Sequence, residues 1–157
     1  MRKAVNAWLP SFNAYRHSSM PLLLWPGSYF VPMMSFSREN RLLNSKEFQA
    51  VFDHNDYRVA NPNLLLLAKP NFLGHPRLGM VVAKKNIRRA VDRNRVKRVV
   101  RETFRHRQQK LGGVDVIFLA RKGMGDLPRE QQTELLEKSW RKLAGRLVEA
   151  QKKGVQL

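Results

Sequence analysis

The chain has 157 residues, no cysteine, 43% hydrophobic residues, and 30 Lys plus Arg against 12 Asp plus Glu, a formal net charge of +18. This suits one domain with enough apolar material for a core, and the missing cysteines exclude disulfides, thiolate nucleophiles and cysteine-ligated zinc. A compact body with a pI near 11.3 repels itself unless a polyanion is close, which points to nucleic acid or an anionic membrane surface, and no apolar run is long enough to span a bilayer.

Residues 1–35 carry Pro10, Pro21, Pro26 and Pro32 and show no steady period. The apolar stretch Leu22–Trp25 is too short for a secretory signal and is fenced by prolines. This segment is expected to be a disordered extension or to lie upstream of the true start, with Met33 or Met34 as alternative starts. A globular pattern then runs over 36–148, and 149–157 is expected to be a flexible tail.

Within the domain, Asn44 or Ser45 can cap a helix, with Glu47 spaced for a capping box and Phe48, Val51 and Phe52 on one face. Tyr57–Ala60 reads as a short strand, and Asn63–Ala68 as a buried one ended by Lys69 and Pro70. "NFLGHPR" is a turn, and Arg77–Ala83 is a further strand, so these two strands are expected to pair as a hairpin. A long helix should start after Asn86 and stop at Gly112–Gly113. Val114–Ala120 reads as a strand. Asp126 or Leu127 with Pro128 should open a last helix, whose apolar stripe is Leu136, Trp140, Leu143 and Leu147. The fold class is α+β, a small α/β sandwich in the order helix, strands, helix, strand, helix.

The long helix carries the argument for function. On a wheel of about 100° per residue, Val96, Val99, Val100, Thr103 and Phe104 share one face. Arg93, Lys97 and Arg101 form a row on one shoulder, Arg95 stands on the other, and Asn94, Arg98 and Arg105 lie on the far side. Lys84 to Lys110 holds twelve Lys or Arg and two acids, Asp92 and Glu102. Like charges four residues apart cost a helix about 0.2–0.5 kcal/mol per pair. Stability therefore did not select this pattern, whereas a phosphate backbone relieves it through counterion release.

Protein catalysis is not expected. The four histidines are scattered, so no metal site is expected on the chain. The one tight acid–histidine group is Asp53, His54 and Asp56, in a stretch where a turn favours such residues anyway.

"AVDRNRVKRVVRETFR", preceded by "RLGMVVAKKNIRR", closely resembles the signature of the bacterial ribonuclease P protein family. "RLLNSKEFQAVF" and "DVIFLARKG" resemble that family's first helix and last strand, so the likeness spans roughly residues 36–148. The resemblance implies an unusual left-handed β-α-β crossover around the signature helix. It also implies a heterodimeric ribonucleoprotein of one protein and one catalytic RNA, in the cytoplasm, which removes the 5′ leader of precursor tRNA. The hydrolysis would reside in the RNA, with Mg²⁺ held mainly there, so the chain would be a nuclease subunit with no catalytic residues of its own.

By position, the resemblance implies RNA contact for Lys84, Lys85, Arg88, Arg89, Arg93, Asn94, Arg95, Lys97, Arg98 and Arg101. It implies a leader-binding cleft lined by Phe48 and Phe52. Their spacing alone reads as core; the resemblance moves at least one toward a partly exposed wall. Leu67 stands where some members carry a third cleft aromatic. The alternative is a ribosomal or other structural RNA-binding protein, which the charge profile would also suit.

Overall fold

The computed structural model describes residues 36–154, so the expectation for 1–35 lies outside the described residues. After a 3-10 turn at Arg38–Asn40, the elements are α1 (Ser45–Asp53), β1 (Tyr57–Ala60), β2 (Leu64–Pro70), β3 (Arg77–Val81), α2 (Ala90–Leu111), β4 (Val114–Ala120) and α3 (Arg129–Lys152). Three helices and one four-stranded sheet make the mixed α/β architecture expected. The strand order is β1-β2-β4-β3. β1 and β2 are antiparallel, as are β2 and β4, whereas β3 and β4 are parallel neighbours joined through α2.

That order corrects the expected hairpin of β2 with β3. β4 lies between them, with Leu66 opposite Phe118 on one side and Leu78 opposite Val116 on the other. The reason is burial: six of the seven β4 residues are buried, and a strand apolar on both faces belongs in the middle of a sheet. The 71–76 link instead crosses the start of β4, where Asn71 N donates to Gly113 O at 3.0 Å.

Strand alternation divides the core in two. Leu64, Leu66, Ala68, Val116, Phe118 and Leu78 face α2 and α3, where they meet Val96, Val99, Val100, Phe104, Trp140 and Leu143. Phe104 stacks edge-on against both Phe36 and Trp140, with centroids 5.8 and 5.6 Å away. Trp140 Nε1 donates to Thr103 Oγ1 at 2.9 Å, and Thr103 Oγ1 in turn donates to Val99 O at 2.9 Å. On the opposite face, Leu67 and Ile117 pack with Leu42 and with Val51 of α1.

Boundaries differ in small ways. α2 begins at Ala90 because Ile87 N and Asn86 N close a separate turn on Ala83 O, each at 3.1 Å. Gly112 ends α2 at φ 68°, a backbone region that glycine enters without steric cost. Pro128 sits just before the first turn of α3, at ψ 153°, rather than inside it. α3 continues through Glu149–Lys152, residues expected to be tail.

Candidate nucleic-acid interface

The first helix is seated by a polar network. Asn44 Oδ1 accepts from Glu47 N at 2.9 Å, and Glu47 Oε2 accepts from Leu43 N at 2.8 Å and Asn44 N at 3.4 Å, completing the expected capping box. The other Glu47 oxygen accepts from Arg77 Nη1 at 2.8 Å. Arg77 in turn makes a two-pronged pair with Asp115 of β4, at 2.8 and 2.6 Å. Hydrogen bonds from backbone N–H, then the Arg77 charge, hold the Glu47 carboxyl below its usual range. Arg77 therefore clamps α1, β3 and β4 together.

Seated this way, α1 turns Val51 fully into the core and leaves its two phenylalanines less covered. Phe48 lies over the β3 backbone at Gly79, where any Cβ would come within 2.7 Å of its ring. Phe52 is exposed at 37%. Neither is fully buried, although i, i+4 spacing on an amphipathic helix reads as core. Leu67 is covered beneath α1, so it does not stand on an open wall.

Two hollows lie beside α2. The first, of about 190 Å³, is lined by Phe36, Arg41, Phe48 and Gly79 together with Lys97 and Arg101. An aromatic ring from α1 and two cations from α2 thus face the same space. Arg41 lies over the Phe36 ring at 4.9 Å, closing one side. The second, of about 660 Å³, lies at the start of α2 between Lys85, Arg88 and Arg89 on one side and Lys122 on the other. Asn86 Nδ2 fixes this lead-in to Ala120 O at 2.8 Å, and Ile87 packs against Gly125 so closely that a Cβ there would come within 2.7 Å.

The expected RNA-contacting residues therefore separate into groups. Lys84, Lys85, Arg88 and Arg89 are exposed on the lead-in; Asn94, Arg98 and Arg101 are exposed on α2, and Lys97 is half-buried. Lys97, Arg98 and Arg101 have no acidic partner among the described residues. Glu102 does not serve them: its carboxyl pairs with Arg105 at 2.6 Å, and that bond holds its pKa down.

Arg93 and Arg95, also expected to contact RNA, are turned back onto the fold. Arg93 Nη1 donates to Arg88 O at 2.6 Å and Ile87 O at 3.1 Å. Arg95 Nη2 donates to Gly125 O at 2.7 Å and lies 3.2 Å from Asp92. Both tie the lead-in and the β4–α3 loop to α2, because carbonyls left open beside a helix start need donors. Arg105, expected on the far side, is half-buried and turned toward Glu102.

Sequence reasoning missed Lys122, Phe36 and Arg41. Arg121 and Lys122 follow β4 in the sequence, but nothing in that pair signals that the chain returns beside Arg88. Among the described residues no three His, Asp or Glu gather as metal ligands, and no helix is long and apolar enough to cross a membrane. Asp53 accepts from Gln49 at 2.7 Å on the same helix.

Fold and site together define a small basic α/β domain whose unpaired cations collect along one helix and its lead-in. A sequence model of the family described as Ribonuclease P matches residues 36–144. The ribonuclease P protein component of Stutzerimonas stutzeri is 48% identical over 109 residues, spanning 69% of this chain and 83% of that protein. The one from Pseudomonas aeruginosa is 47% identical over 108 residues, spanning 69% and 80%. The structure of the Staphylococcus aureus RNase P protein superposes with a TM-score of 0.61 at 30% identity, covering 65% of this chain and 93% of that one. For the Thermotoga maritima protein the TM-score is 0.52 at 29% identity, with 62% and 96% covered. The chain belongs to the ribonuclease P protein family. It is thereby a protein component of an RNA-processing endoribonuclease that acts in tRNA processing, and the ribosomal alternative is set aside.

Proposed function

We propose that this chain binds the catalytic RNA of ribonuclease P and holds the 5′ leader of precursor tRNA beside it, in a cytoplasmic complex of one RNA and one protein. The observation that carries this reading is the hollow in which Phe48 faces Lys97 and Arg101. A single-stranded leader offers flat bases and regularly spaced phosphates. An aromatic ring beside two unpaired cations matches both without reading sequence, and stacking is worth about 1–3 kcal/mol per base. A cofactor for many tRNA precursors needs that tolerance.

The lead-in cations Lys84, Lys85, Arg88 and Arg89 and the helix face of Asn94, Arg98 and Arg101 are assigned to RNA phosphates. Arg93 and Arg95 hold those elements in place and add charge. Hydrolysis is assigned to the RNA. Mg²⁺, held mainly by the RNA, would lower the energy of the attacking and leaving oxygens there. The protein's part is to add affinity and to dilute phosphate repulsion, so that less Mg²⁺ suffices.

The test is cleavage of a precursor tRNA by the catalytic RNA at low Mg²⁺, with and without the protein. Restored cleavage with a correct mature 5′ end supports the reading. RNA binding with no change in cleavage would refute it.

A further inference from the structure

The turn "NFLGHPR" joins β2 to β3, and it is built more firmly than a surface turn requires. Asn71 anchors it with four hydrogen bonds. Its N donates to Gly113 O at 3.0 Å, its Oδ1 accepts from Leu73 N at 2.9 Å, and its Nδ2 donates to His75 O at 3.1 Å and Asp115 Oδ1 at 2.9 Å. Next to this anchor, Phe72 alone among the described non-glycine residues has a positive φ, 57°. Glycine or asparagine enters that region readily, and a bulky aromatic does so rarely. The ring is also 73% exposed, so the chain's own core gains nothing from it.

Phe72 borders a hollow of about 430 Å³ distinct from both hollows beside α2. Lys46 from the first turn of α1 and Lys69 from the end of β2 line it too. Its other charged groups, Glu47, Arg77 and Asp115, are occupied with one another. Lys46 and Lys69 have no acidic partner among the described residues. An exposed ring fixed in a strained turn, with two free ammonium groups beside it, has the parts of a nucleotide platform: a π-face for a base and cations for the flanking phosphates.

We infer that the 71–75 turn is a second RNA-docking point, at which Phe72 stacks on an unpaired nucleotide of the catalytic RNA while Lys46 and Lys69 meet its phosphates. This rests on the proposed RNA partnership. The chain's charge of +18 favours a polyanion over a protein for this surface. Between the two RNAs, the strain and the rigid anchoring are present in every molecule, which suits a resident partner better than a passing substrate.

The test measures binding of the catalytic RNA, without substrate, by wild type, Phe72→Asn and Phe72→Tyr. Asparagine suits the backbone, so Phe72→Asn should melt no lower than wild type. Its affinity for the catalytic RNA should nevertheless fall about 5- to 150-fold, the range of one lost stack, while Phe72→Tyr keeps it. Lys46→Gln with Lys69→Gln should flatten the log–log salt slope by about 1.4, as expected for two single-strand phosphate contacts. An unchanged affinity for Phe72→Asn overturns the inference. So does a loss seen only when leader-bearing precursor binds the assembled holoenzyme, which would assign the platform to the leader. Failure of the wild type to bind the catalytic RNA would instead strike at the underlying partnership.

Discussion

Replacing Arg77 by alanine removes the clamp that fixes α1 against the sheet. Three hydrogen bonds of 2.6–2.8 Å are lost, two to Asp115 and one to Glu47. Asp115 is 8% exposed and keeps only Asn71 Nδ2 as a side-chain donor. Stranding a fully buried charge costs about 3–5 kcal/mol. Here the Asp115 side chain retains 11% exposure and Glu47 25%, so the expected loss is smaller, about 2–3 kcal/mol, in the range for bonds to charged groups. For a domain of this size that lowers Tm by roughly 6–15 °C. The assay is urea unfolding of wild type, Arg77→Ala, Asp115→Asn and the double variant. Because the partners touch, the double variant should cost clearly less than the sum of the singles. Since α1 carries Phe48, Arg77→Ala should also weaken binding of leader-bearing substrate at temperatures where it is still folded. A loss below about 0.5 kcal/mol, the scale of a neutral surface change, would refute the clamp, as would additive singles.

Arg95→Ala and Arg98→Ala should separate fold from binding. The first loses its bond to Gly125 O and should cost about 1 kcal/mol; the second is exposed and should leave Tm unchanged while lowering RNA affinity and its salt dependence, both read by melting and by titration at several salt concentrations. Val100→Asp places a carboxylate in a fully buried site and should give no cooperative melting transition. Glu47 has a folded pKa below its unfolded one, so its contribution is complete above the unfolded value of about 4.3 and is lost as pH falls through the folded value; a Glu47→Gln variant should therefore lose its deficit relative to wild type only in that acid range.

Much of this was legible from residues. The capping box at Asn44–Glu47 was readable because its spacing is short-range, and β4 because a short run, apolar but for Asp115 and bounded by Gly113 and Arg121, has few other readings. The buried stripe of α2 followed from period alone. Pairing was less accessible: neighbouring strands in sequence suggested a hairpin, and only the burial of β4 on both faces decides that it enters between them. The roles of Arg93 and Arg95 were hidden for a related reason. Their acceptors are backbone carbonyls at Ile87, Arg88 and Gly125, and a carbonyl leaves no mark in the sequence. Phe48 was ambiguous at the level of periodicity, because the residue that makes room for its ring is Gly79, thirty-one positions away.

The central claim is that one face of this basic domain holds the precursor's single-stranded leader. The most direct measurement is the dissociation constant of the catalytic RNA, with and without the protein, for precursor tRNA carrying a leader and for the same tRNA lacking it. The account predicts that the protein tightens binding of the leader-bearing form well beyond any gain for the leaderless form, about 5-fold or more if one base stacks. Equal gains for both would contradict it and leave the Phe48 hollow without its assigned occupant.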